Sequence, residues 1–281
     1  MKCFQHQPVM ADCGARSRSG RCRAASNQLT TIPPDGAIHI WLPDGKFSPY
    51  SDRADNWRLR VSPHPPDFDR LFAEGSKHDC GRLRERRVAT VRVVAGAALR
   101  LPTGRVLACE PWTGFPDGAH RDAFIQRVQP GVYPVELVVA TFSDPVDPRG
   151  DTTFDEVAAA RLLIRPEPVA AWRLALREGQ DDAELADGEL YGYPVDGATG
   201  SFGSPEVFDG LKNAEDPDIV MDIVTGLEAP DKVAVYTDEL TGDNLVIFSS
   251  GGDGYYGTWI GYTAGGEVAC FVTDFLTLTA K

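Results

Sequence analysis

The chain has 281 residues with 42% hydrophobic and 25% charged residues, the proportions of a globular protein with a substantial core. Its net charge of −13 is unevenly spread, since residues 1–150 carry 21 Lys/Arg against 16 Asp/Glu and residues 151–281 carry 7 against 25. That split argues against nucleic acid as a partner of the acidic part and favours a basic one.

Residues 1–62 read as a basic leader. CGARSRSGRCRAAS (residues 13–26) holds four arginines and no acid, and the segments after it show no clear periodicity. This predicts a poorly ordered arm, dispensable for folding, ahead of a single domain over residues 63–281. No apolar centre of a secretory signal stands at the start, which makes a cytoplasmic location the expectation. The apolar run VRVVAGAAL (residues 91–99) is far shorter than the ~20 residues of a membrane-spanning helix, so no membrane association is expected.

PDFDRLFAEGS opens the domain, with Phe68, Leu71 and Phe72 on one face of a short helix that ends at Gly75. From residue 88 the pattern turns to strands. VATVRVV, GRVLACEPW and GVYPVELVVATF are rich in β-branched residues and bounded by Gly and Pro. AAARLLI follows, then VAAWRLAL, whose alternation predicts a strand with one wet face, although Trp172 and Leu176 also sit at helical spacing. GSPEVFDGLKNAEDPDIVMDIVTGLEAPD interrupts the series with a helical insert near 204–228, Ser204 being the expected cap ahead of Pro205. KVAVYTDE, NLVIFSSG, GTWIGYT and EVACFVTDF then restore the strands. The fold class expected is α+β, strand-dominated, with antiparallel sheets or a β-meander.

LPTGRVLACEPW, PGVYPVELVVA, the AAARLLI and PVAAWRLAL pair, YGYPVDGATGSF and SSGGDGYYGTWIGYTAGGEVACFVTDF together resemble the signature blocks of the bacterial family called domain of unknown function 4241. They run in that family's order over roughly residues 66–275. The resemblance implies a shared fold and no established activity. GYPVDGATGSF departs from the family's glycine spacing. A shorter likeness, the glycine-aspartate turn and GGEV, is to immunity domains of the SUKH superfamily.

Catalytic signatures are few. His6, His39, His64, His78 and His120 are the only histidines, so a Ser-His or Cys-His arrangement in the domain would need His78 or His120. No HExxH, paired-cysteine zinc pattern, GxSxG elbow or P-loop occurs. Cys109 and Cys270 lie in apolar alternating runs, where a small buried thiol is the simple reading. GGDG (residues 251–254) lacks the second acid of a cyclase GGDEF turn. Asp243, Asn244 and Asp253 are too scattered for a calcium loop, and no helix follows to hold a phosphate. The turn reading remains, with GGDG joining NLVIFSS to YYGTWIGY as one bend of a meander. No metal or cofactor is therefore expected.

YGYPVD and GGDGYY each place tyrosine beside aspartate. If their loops adjoin, Tyr193, Asp196, Asp253, Tyr255 and Tyr256 make an acidic aromatic binding patch. The function this favours is a non-enzymatic protein-binding module, with a basic protein such as a toxin as partner. The alternative is a hydrolase using Asp196 and Asp253 as acid and base.

Overall fold

The computed structural model describes residues 65–79, 88–111, 119–143, 153–185, 189–208, 223, 226–228 and 231–278, with short strands before them. Those strands are β1 (Arg21–Arg23), β2 (Leu29–Thr31), β3 (Ile38–Trp41), β4 (Phe47–Tyr50) and β5 (Arg58–Arg60). The first four pair in sequence as an antiparallel sheet, so the leader contains strands that its composition does not announce. β5 pairs with β12 (Glu189–Tyr191) of the domain.

The expected first helix is present as α1 (Phe68–Leu71), where the Asp67 carboxylate accepts from the Arg70 backbone N–H. Next come β6 (Lys77–Asp79), β7 (Val88–Leu101), β8 (Leu107–Cys109), α2 (Ala119–Asp122), β9 (Gly131–Ser143), β10 (Thr153–Leu163) and β11 (Ala171–Leu174). β11 settles the ambiguity of WRLAL in favour of a strand, with Arg173 exposed and Leu174 buried. β13 (Tyr193–Val195), β14 (Thr199–Gly203), β15 (Val233–Thr237), β16 (Asn244–Ser249), β17 (Gly254–Tyr256), β18 (Thr258–Tyr262) and β19 (Val268–Asp274) complete the series.

A seven-stranded antiparallel sheet runs β11-β18-β19-β10-β9-β7-β6, and a four-stranded one runs β15-β16-β14-β8. The fold is strand-dominated, as expected. Strand periodicity explains how the sheets stack, because successive side chains point to opposite faces. In β9, Leu137 and Val139 enter one core while Val138 and Ala140 enter another. In β16, Val246 and Phe248 enter that first core while Leu245 and Ile247 face away from it. The central core therefore lies between the two sheets. A second core lies on the outer face of the larger sheet under α1, where Phe68 packs on Trp172 with ring centroids 4.4 Å apart. Leu107, Leu245 and Ile247 of the smaller sheet are covered by Val207, Phe208 and Ile223 of the helical insert.

Two expectations need correction. Ser204 caps nothing with its side chain, because its hydroxyl is buried without a partner. GGDG is not a hairpin turn either. The chain leaves β16 in the smaller sheet, pairs β17 with β13, and enters the larger sheet as β18, so the turn is a crossing between sheets. By contrast AGG (264–266) closes a true hairpin between β18 and β19, with Gly266 at φ +81°. Among the described residues no helix is long and apolar enough to cross a membrane.

Candidate functional site

β13 and β17 pair with Tyr193 opposite Tyr256 and Val195 opposite Gly254, which brings the two tyrosine-aspartate loops side by side. The turn after β13, residues 196–198, meets the loop of residues 250–253 before β17. Ala198 laces them together. Its carbonyl accepts from the Ser250 N–H at 2.9 Å, and its own N–H donates to the Asp253 carboxylate. Ala198 does this at φ +51°, the left-handed region that glycine occupies without strain.

Beneath the turn sits Glu110, just past β8, only 4% exposed. Its carboxylate accepts from the Asp196 N–H at 2.9 Å and from the Gly197 N–H, with the Thr199 hydroxyl at 3.5 Å. Two successive backbone N–H groups converge on one carboxylate, so the turn holds an acid from its own chain in an anion-binding nest. The sequence offered no signal for this role. Glu110 is one acid at the end of a strand, 86 positions from its first partner.

The two aspartates differ in setting. Asp196 is exposed. Asp253 is half-buried, and desolvation first, then the negative charges of Asp196 and Glu110, push its carboxyl above the usual range, with the Ala198 N–H opposing them. Desolvation and like charge both disfavour the ionised form, so the direction follows from the geometry.

The three tyrosines are brought together but not presented. Tyr193, Tyr255 and Tyr256 are 2%, 2% and 5% exposed, and they belong to the core rather than to a surface patch. For Tyr255 and Tyr256 the backbone supplies hydroxyl partners inside the fold, while the Tyr193 hydroxyl is buried without one. Tyr255 donates to the Gly192 carbonyl at 2.9 Å, and Tyr256 donates to the Gly252 carbonyl at the same distance. Tyr256 also meets Phe275 edge-on at 5.1 Å. Burial drives the phenols of Tyr193 and Tyr256 well above their ordinary range. What faces outward is acidic, and the aromatic part stiffens the loops from below.

A further carboxyl escaped sequence reasoning. Asp274, at the end of β19, is 7% exposed, and its Oδ1 accepts from the Leu276 N–H at 2.9 Å. No ion pair involves it among the described residues, and burial pushes its pKa up to about 7. Neither thiol in the cores is activated. Burial raises Cys109 to about 12 and Cys270 to about 11.

His78 lies elsewhere, beside α1. Ser76 Oγ stands 2.9 Å from His78 Nε2, but the same hydroxyl donates to the Arg70 carbonyl at 3.0 Å, so it accepts from the ring. Burial, then the Arg70 charge, lower the His78 pKa. The pair pins the strand to the helix end and lacks the proton arrangement of a nucleophile with its base. The side chain of His120 lies outside the described residues. Among the described residues no three His, Cys, Asp or Glu side chains stand where they could hold a metal ion.

Fold and site together define a strand-dominated α+β protein, built on two main antiparallel sheets, that presents an acidic loop pair braced from within by Glu110 and the buried tyrosines. A sequence model for the family described as protein of unknown function (DUF4241) matches residues 99–273, and the chain belongs to that family. No curated protein and no solved structure matches it, and nothing in the comparisons supports the SUKH likeness.

Proposed function

We propose that this protein is a non-enzymatic binding module whose partner is a basic protein, a cationic toxin being one of that chemistry. The supporting observation is the acidic loop pair itself. Asp196 stands exposed beside half-buried Asp253, above Glu110, in the part of the chain with 25 acids against 7 bases. Carboxylates fixed on a braced turn set up a field that steers a cation without first having to order the loop.

The experiment is capture of the partner followed by association kinetics at several salt concentrations. Surface charge acts within ~8–10 Å at physiological ionic strength, so the association rate falls as salt rises. Asp196→Lys is the clean probe, because Asp196 is exposed, whereas Asp253 also holds the Ala198 N–H. Slower association with unchanged melting is the expected outcome. An acidic partner, or a rate indifferent to salt and to Asp196→Lys, removes the proposal.

One observation favours a second reading. Asp253 is pushed up while a neighbouring carboxylate, Asp196, stands in water, the pairing that lets one carboxyl act as acid and the other as base. A carboxylate-dependent hydrolase is the enzyme this would make. Turnover of a glycan or ester abolished by Asp253→Asn, with melting unchanged, would establish it.

A further inference from the structure

β12 is a strand without a sheet of its own. Its inner side is anchored, with Leu190 5% and Tyr191 1% exposed in the core under α1. Gly192, the next residue, is gripped at both backbone groups by the Tyr255 hydroxyl. Among the described residues its ladder partner is β5, in a two-stranded sheet with Glu189 opposite Arg60, Leu190 opposite Leu59 and Tyr191 opposite Arg58. The segment leading into β12 is acidic and folded against it. Asp181, Asp182 and Glu184 are exposed in one short turn, and the Tyr191 hydroxyl donates to the Asp181 carbonyl at 3.3 Å.

Three residue pairs make a weak ladder, since an isolated pair of strands is marginal in water. A ladder this short is the condition under which a partner strand can exchange, while β12 is fixed by the core. Strand addition draws affinity from backbone hydrogen bonds and specificity from alternate side chains. Here the register supplies the pattern, setting the sequence Arg-Leu-Arg of residues 58–60 opposite Tyr191, Leu190 and Glu189.

We propose that the edge of β12 is a strand-addition site, filled in cis by residues 58–60 and taken by an extended basic–apolar–basic segment of a partner protein when that strand leaves. The proposal rests on the reading above for the charge of the partner, and it identifies a docking mode that the loop pair alone does not provide. The chain's own strand is a tethered competitor, present at an effective concentration on the order of millimolar, so it keeps the site closed to weak binders.

The test uses the full chain and a dye-labelled peptide of residues 55–62, ADNWRLRV, read by fluorescence anisotropy. Leu59→Pro removes a backbone N–H from β5, and Arg58→Glu with Arg60→Glu is a second way to release it that leaves the backbone intact. Both variants should bind the peptide about tenfold or more tightly than the unaltered chain. The peptide ADNWELEV should bind them about tenfold or more weakly than ADNWRLRV. Hydrogen exchange should show residues 189–191 protected in the unaltered chain, exposed in the variants, and protected again by the peptide. Equal binding by all chains, equal binding of the two peptides, or no binding overturns the proposal. Such a result leaves salt-dependent capture through the Asp196 loop standing, and failure of that capture leaves peptide binding at β12 standing, so the two readings fail separately.

Discussion

Asp274 sits where an ionised carboxylate is costly. It is 7% exposed, has one N–H donor and lies near the end of a core strand, so its charge is not compensated. A folded pKa of about 7 against an unfolded value near 3.9 means that the folded state holds the proton through that interval. Stability therefore falls as pH rises from about 4 to about 7, by at most about 1.4 kcal/mol per pH unit, and levels off above. His78 works the other way. Its lowered pKa makes the fold lose stability as pH drops below ~6.5. Asp274→Asn keeps the acceptor for Leu276 and removes the titration. Denaturant unfolding across pH 4–8 should show a flatter falling limb in the variant than in the natural chain, and parallel profiles would refute the assignment.

The second residue is Ala198. At φ +51° it stands in a conformation that costs an L-residue roughly 1–2 kcal/mol, while glycine there forfeits some unfolded-state entropy. Ala198→Gly should be stabilising by up to about 1 kcal/mol, measured as a shift of the urea midpoint at constant slope. Its N–H and carbonyl bonds to the Ser250–Asp253 loop use the backbone alone, so they survive the change.

Elements were legible in the sequence to different degrees. Apolar, β-branched-rich runs bounded by turn residues marked β9, β10, β16, β18 and β19, because much of each strand is buried on both faces. GGDG looked like a hairpin because a crossing between sheets needs the same turn residues as a return within one. The tyrosines looked exposed for a related reason. A ring next to aspartate in a loop gives no hint that carbonyls of Gly192 and Gly252 await its hydroxyl inside. The reciprocal error concerned Ser204, where a cap pattern stood without the bond. α1 was foreseen, yet not its task of closing the outer face of the larger sheet against Trp172 and Trp259. Phe68→Ala should accordingly cost about 3–5 kcal/mol, seen as a lowered midpoint in chemical denaturation. A cost below about 1 kcal/mol would mean that the helix is an ornament on a core already closed.

On the scale of the whole molecule, the order of strands in space differs from their order in the chain. β19 is flanked by β18 on one side and β10 on the other, and β11 reaches the sheet only through β18. During synthesis, β7, β9 and β10 can zip together as they leave the ribosome, since each pairs with a neighbour already made. Their sheet then waits. Until residue 274 has been translated β10 keeps an open edge, and until residue 262 the strand that carries Trp172 has nothing to join. An unpaired edge beside the buried residues Val157–Ala160 is a template for wrong partners, including the same edge on a nearby nascent chain. A chain halted short of the last strand therefore keeps an aggregation-prone edge, and completing residues 268–274 is the step that removes it.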